Sequence, residues 1–184
     1  MVCANQIQAL RGKLGFTGER LDFLKYSLNL ESGEIFDRLR NETIVNPTYF
    51  YILLSHYAKA NLTEKGNLMR FGDMLGGNAY EGAFVKRAIA PIAKLFGSNL
   101  KSLVEAAKLL NGFEVKYKDA SVEIPAMPKI PLTYIVWEGD EEIQAASNIL
   151  FDSSASQYLP TEDLAVLGEL TTLRLKDALE KLGI

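Results

Sequence analysis

Cysteine and histidine are almost absent from this sequence of 184 residues, which contains Cys3 and His56 as its only residues of these two types. A single cysteine cannot form an intrachain disulfide. It also cannot supply the cysteine cluster that a structural zinc site or an iron–sulfur centre requires. A metal site built from cysteines is therefore excluded within this chain.

Long apolar runs are also lacking. No run approaches the roughly 18 apolar residues that a membrane-spanning helix needs. Residues 1–6 become polar too early for the apolar segment of a secretion signal. We therefore expect a cytoplasmic protein that has no membrane partner.

Neither sign of charge dominates the sequence. The chain has 20 basic and 23 acidic residues, a net charge of -3, so it has no general electrostatic reason to bind nucleic acid, although a local basic patch remains possible. The hydrophobic fraction of 48% is typical of a globular protein, and the length suits one sizeable core. We expect a single domain spanning residues 1–184.

Residues 130–152 form the stretch around which the chain is organised. From Ile130 to Trp137, alternate residues on both sides of an extended strand are mostly apolar, which predicts a central strand covered on both faces. The apolar run ends in an acidic turn, which we define as residues 138–142. A second apolar run, residues 149–151, ends at Asp152.

The remaining pattern predicts an α+β fold, a single domain with a largely antiparallel sheet packed against four to five helices. Alternating apolar residues over 21–30 predict one strand. A helical pattern over 80–95 contains Pro91, which should kink or split the helix just before it. The last helix should begin at Thr161, with this threonine as its N-terminal cap, and should end at Gly183.

The acidic residues near the central strand are the first candidate site: Asp140, Glu141, Glu142 and Asp152. Their oxygens could bind magnesium or calcium, or a pair of them could perform acid–base chemistry. The spacing does not match a calcium loop, because apolar residues fall where oxygen ligands are needed. A solvated turn whose charges prevent edge aggregation is the favoured interpretation, so we predict no metal.

His56 and Trp137 are candidates because each is the only residue of its type. His56 could act as a general base or as an axial haem ligand, although a boundary histidine with one hydrogen-bond partner is the commoner case. Trp137 could stack on a planar ligand, or it could be a core residue whose indole N–H is bonded at the rim.

Gly76 and Gly77 belong to a glycine-rich stretch over residues 71–78. Such glycines can let backbone N–H groups approach a phosphate at the start of a helix. The stretch lacks both nucleotide-binding fingerprints, because it has no Gly-Lys-Ser/Thr end and no G-x-G-x-x-G spacing. A sharp loop that redirects the chain explains the glycines equally well.

Several segments together resemble a prokaryotic family known only as a domain of unknown function. The segments are Leu53-Leu54 with Tyr57, residues 71–77 with Tyr80 and Phe84, Phe96-Gly97, the prolines at 125, 128 and 131, and residues 137–142, 149–152 and 158–164. The resemblance covers most of the chain. It implies an origin in anaerobic bacteria or archaea, where some members carry a ferredoxin-like iron–sulfur domain or are linked to one-carbon and corrinoid metabolism. It implies no catalytic residue.

Two functional hypotheses follow. The first is a non-catalytic binding or accessory module of anaerobic one-carbon, corrinoid or redox metabolism, with a small-molecule cofactor or protein partner docking near residues 137–142. The alternative is a metal-assisted hydrolase or transferase that uses Asp140, Glu141 and Asp152. An enzyme requires these carboxylates to converge in a concave pocket, whereas a module requires only a surface. The cofactor and the oligomeric state stay open.

Overall fold

Helices and antiparallel strands make up the computed structural model, which describes residues 2–183, with side chains from Asn5 onward. The helices are α1 (Val2–Gln8), α2 (Thr48–Tyr57), α3 (Gly77–Phe84), α4 (Ala90–Phe96), α5 (Leu100–Leu109), α6 (Ala155–Tyr158) and α7 (Thr161–Leu182). The strands are β1 (Arg20–Phe23), β2 (Tyr26–Asn29), β3 (Ile35–Asp37), β4 (Glu42–Thr43), β5 (Leu68–Arg70), β6 (Phe113–Glu114), β7 (Ala120–Met127), β8 (Ile130–Trp137) and β9 (Ala146–Asp152).

Strand β8 is the centre of a five-stranded antiparallel sheet with the order β5-β9-β8-β7-β6. Leu132, Tyr134 and Val136 on one of its faces are completely buried, and Thr133 and Ile135 on the other face are buried as well. Successive side chains of a strand point to opposite faces, and in β8 both sets are mostly apolar, so both faces of the strand are covered. The predicted central strand is confirmed.

The first four strands form a separate antiparallel meander in the order β1-β2-β3-β4. The prediction of one strand over residues 21–30 is wrong, because β1 and β2 are joined by a two-residue turn at Leu24 and Lys25. Their φ angles are 48° and 64°, a left-handed conformation that such turns need and that glycine or asparagine usually supplies. The turn escaped prediction because neither residue type signals it.

The helix around Pro91 is interrupted as its sequence predicts. Between α3 and α4 the chain forms one π-helical segment, Val85–Ile89, and Pro91 lies in the first turn of α4. A wider turn just before a proline removes the clash between its ring and the preceding turn. The interruption turns the chain while keeping α3 and α4 in contact with α7.

Helix α7 packs against α5, α3 and β7 and ends at Gly183, whose φ of 70° terminates the helix. Thr161 is not its cap, because Pro160 occupies the cap position and the Thr161 hydroxyl donates instead to the Leu75 carbonyl at 2.8 Å. Among the described helices, α7 included, none is both long and apolar enough to cross a membrane.

A buried arginine joins α7 to the meander. Arg174 has no exposed surface, and both of its terminal nitrogens donate to Asp37 at 2.7 Å. One of them also donates to Asp177 at 2.9 Å, and Nε donates to the Leu24 carbonyl at 3.0 Å. The guanidinium carbon lies 4.2 Å from the centre of the Tyr26 ring. The bonds to Asp37 and to the Leu24 carbonyl link α7 to the β1–β3 region, while Asp177 binds the same guanidinium from within α7.

One continuous cluster of buried side chains runs from Ile7 to Ala178 and includes residues of both sheets and of the helices. The α+β class is therefore confirmed, with the antiparallel pairing divided between two sheets. The extent of the domain, residues 1–184, stays a prediction.

Candidate functional site

The acidic turn at the end of β8 is held by one of its own carboxylates. Asp140 Oδ1 accepts hydrogen bonds from the backbone N–H groups of Glu142 at 2.8 Å and Ile143 at 2.7 Å. These bonds, first from Ile143 and then from Glu142, lower the pKa of the Asp140 carboxyl. Asp140, Glu141 and Glu142 are exposed, and Trp137 is partly exposed beside them. The turn has the character of a solvated loop with a side-chain cap.

Asp152 lies at the far end of β9 from this turn. Because Ala146 at the start of β9 pairs with Trp137, the length of β9, about 20 Å, lies between Asp152 and the strand end that carries the acidic turn. Asp152 is buried, and its Oδ1 accepts from the N–H groups of Gly66 at 2.8 Å and Ser154 at 2.9 Å. Burial raises the pKa of its carboxyl, but a hydrogen bond from the Ser154 side chain, these two backbone bonds and the charge of Lys65 outweigh burial and lower the pKa.

The expected meeting of Asp152 with the acidic turn is therefore wrong. Carboxylates at opposite ends of one extended strand are too far apart to bind the same metal ion. Residues 140 and 152 are close in sequence, but strand β9 lies between them. Across the described residues, no group of three histidine, cysteine, aspartate or glutamate side chains is arranged to hold a metal ion.

The glycine-rich loop has a packing role. Gly76 has a φ of 77°, and a Cβ on Gly77 would lie 2.0 Å from the carbonyl oxygen of Phe71. The loop sits against the start of α7, where the Tyr80 hydroxyl is 3.5 Å from Glu162 Oε1. The structure thus brings Gly76 and Gly77 towards the start of α7.

His56 also faces the start of α7. Its Nδ1 lies 2.5 Å from Asp163 Oδ2, and the imidazole is 38% exposed. Because an ionised carboxylate can only accept a hydrogen bond, Nδ1 is the donor in this pair. His56 lines an open cleft of 350 Å³ together with Lys59, Ala60 and residues 156–160.

A larger hollow adjoins this cleft and shares Lys59 and Ala60 with it. We call it the α2-end groove; its volume is 580 Å³, and it is lined by Ala9, Leu10, Gly12, Lys13, Leu14, Gly15, Ala58, Lys59, Ala60, Asn61, Leu62 and Lys129. Three of these lining residues are lysines and none is acidic. The surface around the end of α2 is therefore locally basic in a chain whose net charge is negative.

The Tyr57 hydroxyl holds the walls of the α2-end groove together. It donates to the Leu14 carbonyl at 3.0 Å and accepts from the Lys129 N–H at 3.1 Å. Tyr57 is completely buried, and burial raises the pKa of its phenol. A Cβ on Gly15 would lie 2.5 Å from the Pro128 side chain, so the two walls touch directly.

Replacing Tyr57 with phenylalanine should therefore weaken the protein and loosen the groove. We expect Tyr57→Phe to lower the free energy of unfolding by about 1–3 kcal/mol, because the buried Leu14 carbonyl and Lys129 N–H lose their partner. Urea denaturation measures this change. As a control, Tyr49→Phe changes a tyrosine that is 41% exposed, and it should change the free energy of unfolding by less than about 0.5 kcal/mol. Equal effects of the two variants would contradict the bridging role.

The basic groove was missed by sequence reasoning. Lys13, Lys59 and Lys129 come from the segment after α1, the end of α2 and the turn between β7 and β8, and no local spacing connects them. The prediction that a local basic patch remained possible was the only signal. Of the predicted site residues, His56 lies beside this groove, while Trp137, Asp140 and Asp152 lie elsewhere.

The fold and these hollows define an α+β protein with a surface groove of the size that small molecules occupy. The chain belongs to the family described as domain of unknown function DUF3786, whose model matches residues 12–174. No curated protein and no solved structure matches the chain. The resemblance to a family of unknown function is thereby confirmed, whereas anaerobic origin and iron–sulfur fusions stay predictions.

Proposed function

We propose that this protein is a non-catalytic binding or accessory module whose small-molecule ligand sits in the α2-end groove. The observation that carries this proposal is the groove itself, whose volume of 580 Å³ falls within the range of small-molecule sites. Its walls come from three chain segments tied by the Tyr57 hydroxyl, so the groove exists before a ligand arrives.

The metabolic setting of this proposal comes from the family resemblance. It supports a cytoplasmic role in one-carbon, corrinoid or redox metabolism of an anaerobe. In that setting the module would hold a small-molecule cofactor or present it to a protein partner.

An enzyme receives less support from the geometry. The metal-assisted alternative needs Asp140, Glu141 and Asp152 around one ion, and about 20 Å of strand β9 separates the first from the last. The Asp140 and Asp152 carboxylates already accept backbone hydrogen bonds that hold their loops.

The end of β8 is a second candidate docking surface, as the sequence suggested. Trp137 is partly exposed there, and Ile143 across the acidic turn is 67% exposed. Accessible apolar side chains near several carboxylates suit a protein partner or a planar ligand with a cationic edge.

A thermal-shift screen of purified protein tests both surfaces. After treatment with a chelator, the protein is mixed with nucleotides, corrinoids, haem, folate-type cofactors and divalent metals. A ligand that binds only the folded protein stabilises it by about 2.7 kcal/mol at one hundred times its Kd, which raises the melting temperature. We expect Asn61→Trp, which narrows the groove from an exposed position, to abolish the shift, while Trp137→Ala preserves it.

The two variants are controls for each other. A shift that survives Asn61→Trp and is lost in Trp137→Ala would place the ligand at the end of β8 and overturn the groove proposal. A shift with a metal that is lost in Asp140→Asn would favour the enzyme.

A further inference from the structure

We propose that the α2-end groove binds a multiply charged anionic small molecule, one that carries phosphate or several carboxylate groups, through Lys13, Lys59 and Lys129. This inference rests on the proposed function and gives its ligand a chemical class. All three lysines line one hollow and come from three separate segments of the chain. Lysine contributes a compact, mobile charge that suits phosphate and carboxylate oxygens.

Lys13, Lys59 and Lys129 belong to the basic side chains that no acidic partner among the described residues neutralises directly. Within the described part of the chain, salt bridges join many of the other basic side chains to acids: Arg11–Glu19, Arg38–Asp22, Arg40–Asp177, Arg70–Asp73, Arg87–Glu169, Arg174–Asp37, Lys108–Glu105 and Lys176–Glu180. Among those same residues, no acid lies within salt-bridge distance of Lys13, Lys59 or Lys129. Three unneutralised cations around a concave surface focus a positive potential into it.

The three lysines are carried by backbone that the protein fixes. Lys13 precedes Leu14 and Lys129 follows Pro128, and the Tyr57 hydroxyl binds the Leu14 carbonyl and the Lys129 N–H. Lys59 lies two residues beyond the end of α2, and its N–H donates to the His56 carbonyl at 3.1 Å. A ligand therefore has to order only the side chains, which lowers the entropic cost of binding.

No acidic residue of the described chain lines the groove itself. The carboxyl end of α2 contributes about half a negative charge, against three positive charges from the lysines. The dipole of α2 favours a lysine near its carboxyl end, which would account for Lys59 without a ligand. It does not account for Lys13 and Lys129, because both lie outside helices. Glu123 and Lys65 line the next hollow along, which also includes Lys129, and their charges oppose each other. His56 lines the adjoining cleft, where the Asp163 carboxylate that it faces is a further acidic group outside the groove lining.

Isothermal titration calorimetry with pyrophosphate and with citrate, in parallel, tests the inference on the full chain. We expect at least one of the two anions to bind, with an affinity that falls as salt increases from about 0.05 to about 0.2 M. Each of Lys13→Ala, Lys59→Ala and Lys129→Ala should weaken binding by about three- to tenfold, and the triple variant should abolish it. Preference for pyrophosphate indicates a phosphate ligand, and preference for citrate indicates a polycarboxylate.

Lys101→Ala is the matched control, because Lys101 is an exposed lysine on α5 that does not line the groove. Equal weakening by Lys101→Ala and the groove variants would overturn the inference, because it would show binding to overall charge. Absence of binding by both anions would overturn it too. If a neutral ligand from the thermal-shift screen still depends on Asn61, the proposed function survives that result and only the anionic class is wrong.

Discussion

Arg174→Met should lower the free energy of unfolding by about 3–5 kcal/mol, the cost of removing one partner from a buried ion pair. Arg174 is completely buried and binds Asp37 through two hydrogen bonds of 2.7 Å. Methionine fills much of the space but leaves the Asp37 carboxylate buried without its cation. Asp177 also loses its hydrogen bond from Arg174, but it keeps a cationic partner, because Arg40 still donates to its Oδ1 at 2.7 Å.

Arg38→Met is the matched control for this experiment. Arg38 belongs to the same meander region, but its pair with Asp22 is about half exposed, with side-chain exposures of 48% and 52%. We expect Arg38→Met to lower the free energy of unfolding, measured by urea denaturation, by less than about 1 kcal/mol. If Arg174→Met costs no more than Arg38→Met, the buried network does not hold α7 to the meander.

The difference between wild type and Arg174→Met should also depend on pH. Burial raises the pKa of the Asp37 carboxyl, but the hydrogen bond from Arg174 and those from the Arg40 and Leu39 N–H groups bring it below the ordinary value of 3.8. A group whose pKa is lowered by folding stabilises the protein above its unfolded pKa, and this stabilisation is lost as pH falls through the folded pKa. The destabilisation should therefore be largest near neutral pH and shrink in acid.

Gly77→Ala should be the second large effect, a loss of about 3 kcal/mol or more in the free energy of unfolding. The added Cβ would lie 2.0 Å from the Phe71 carbonyl oxygen and 3.0 Å from the Phe71 carbonyl carbon. Both are backbone atoms, so no side chain can rotate away, and the loop from Phe71 to α3 has to move. Thermal and urea denaturation measure the loss.

Gly82→Ala offers a control within the same helix. A Cβ on Gly82 meets no atom within 4 Å, and alanine favours a helix over glycine. We expect this variant to gain about 0.5–1 kcal/mol. A Gly77→Ala protein as stable as wild type would show that the loop can shift, and would return Gly77 to consideration as a ligand-binding residue.

The sequence predicted the elements whose signals are local. Alternating apolar residues identified β8 as the central strand, the helical stripe ending at Gly183 identified α7, and Pro91 marked the break between α3 and α4. Each of these patterns lies within one element, because burial of a strand or helix face repeats with the period of that element. The α+β class followed from the same patterns.

Tertiary structure alone decided where the functional side chains meet. Asp140 and Asp152 look close in sequence, yet an extended strand holds them apart, while Lys13, Lys59 and Lys129 are distant in sequence and share one groove. The partners of His56 and Arg174 were equally hidden, because a buried charge is matched by packing between elements and not by spacing along one. Local sequence determined the elements, and their packing determined the candidate site.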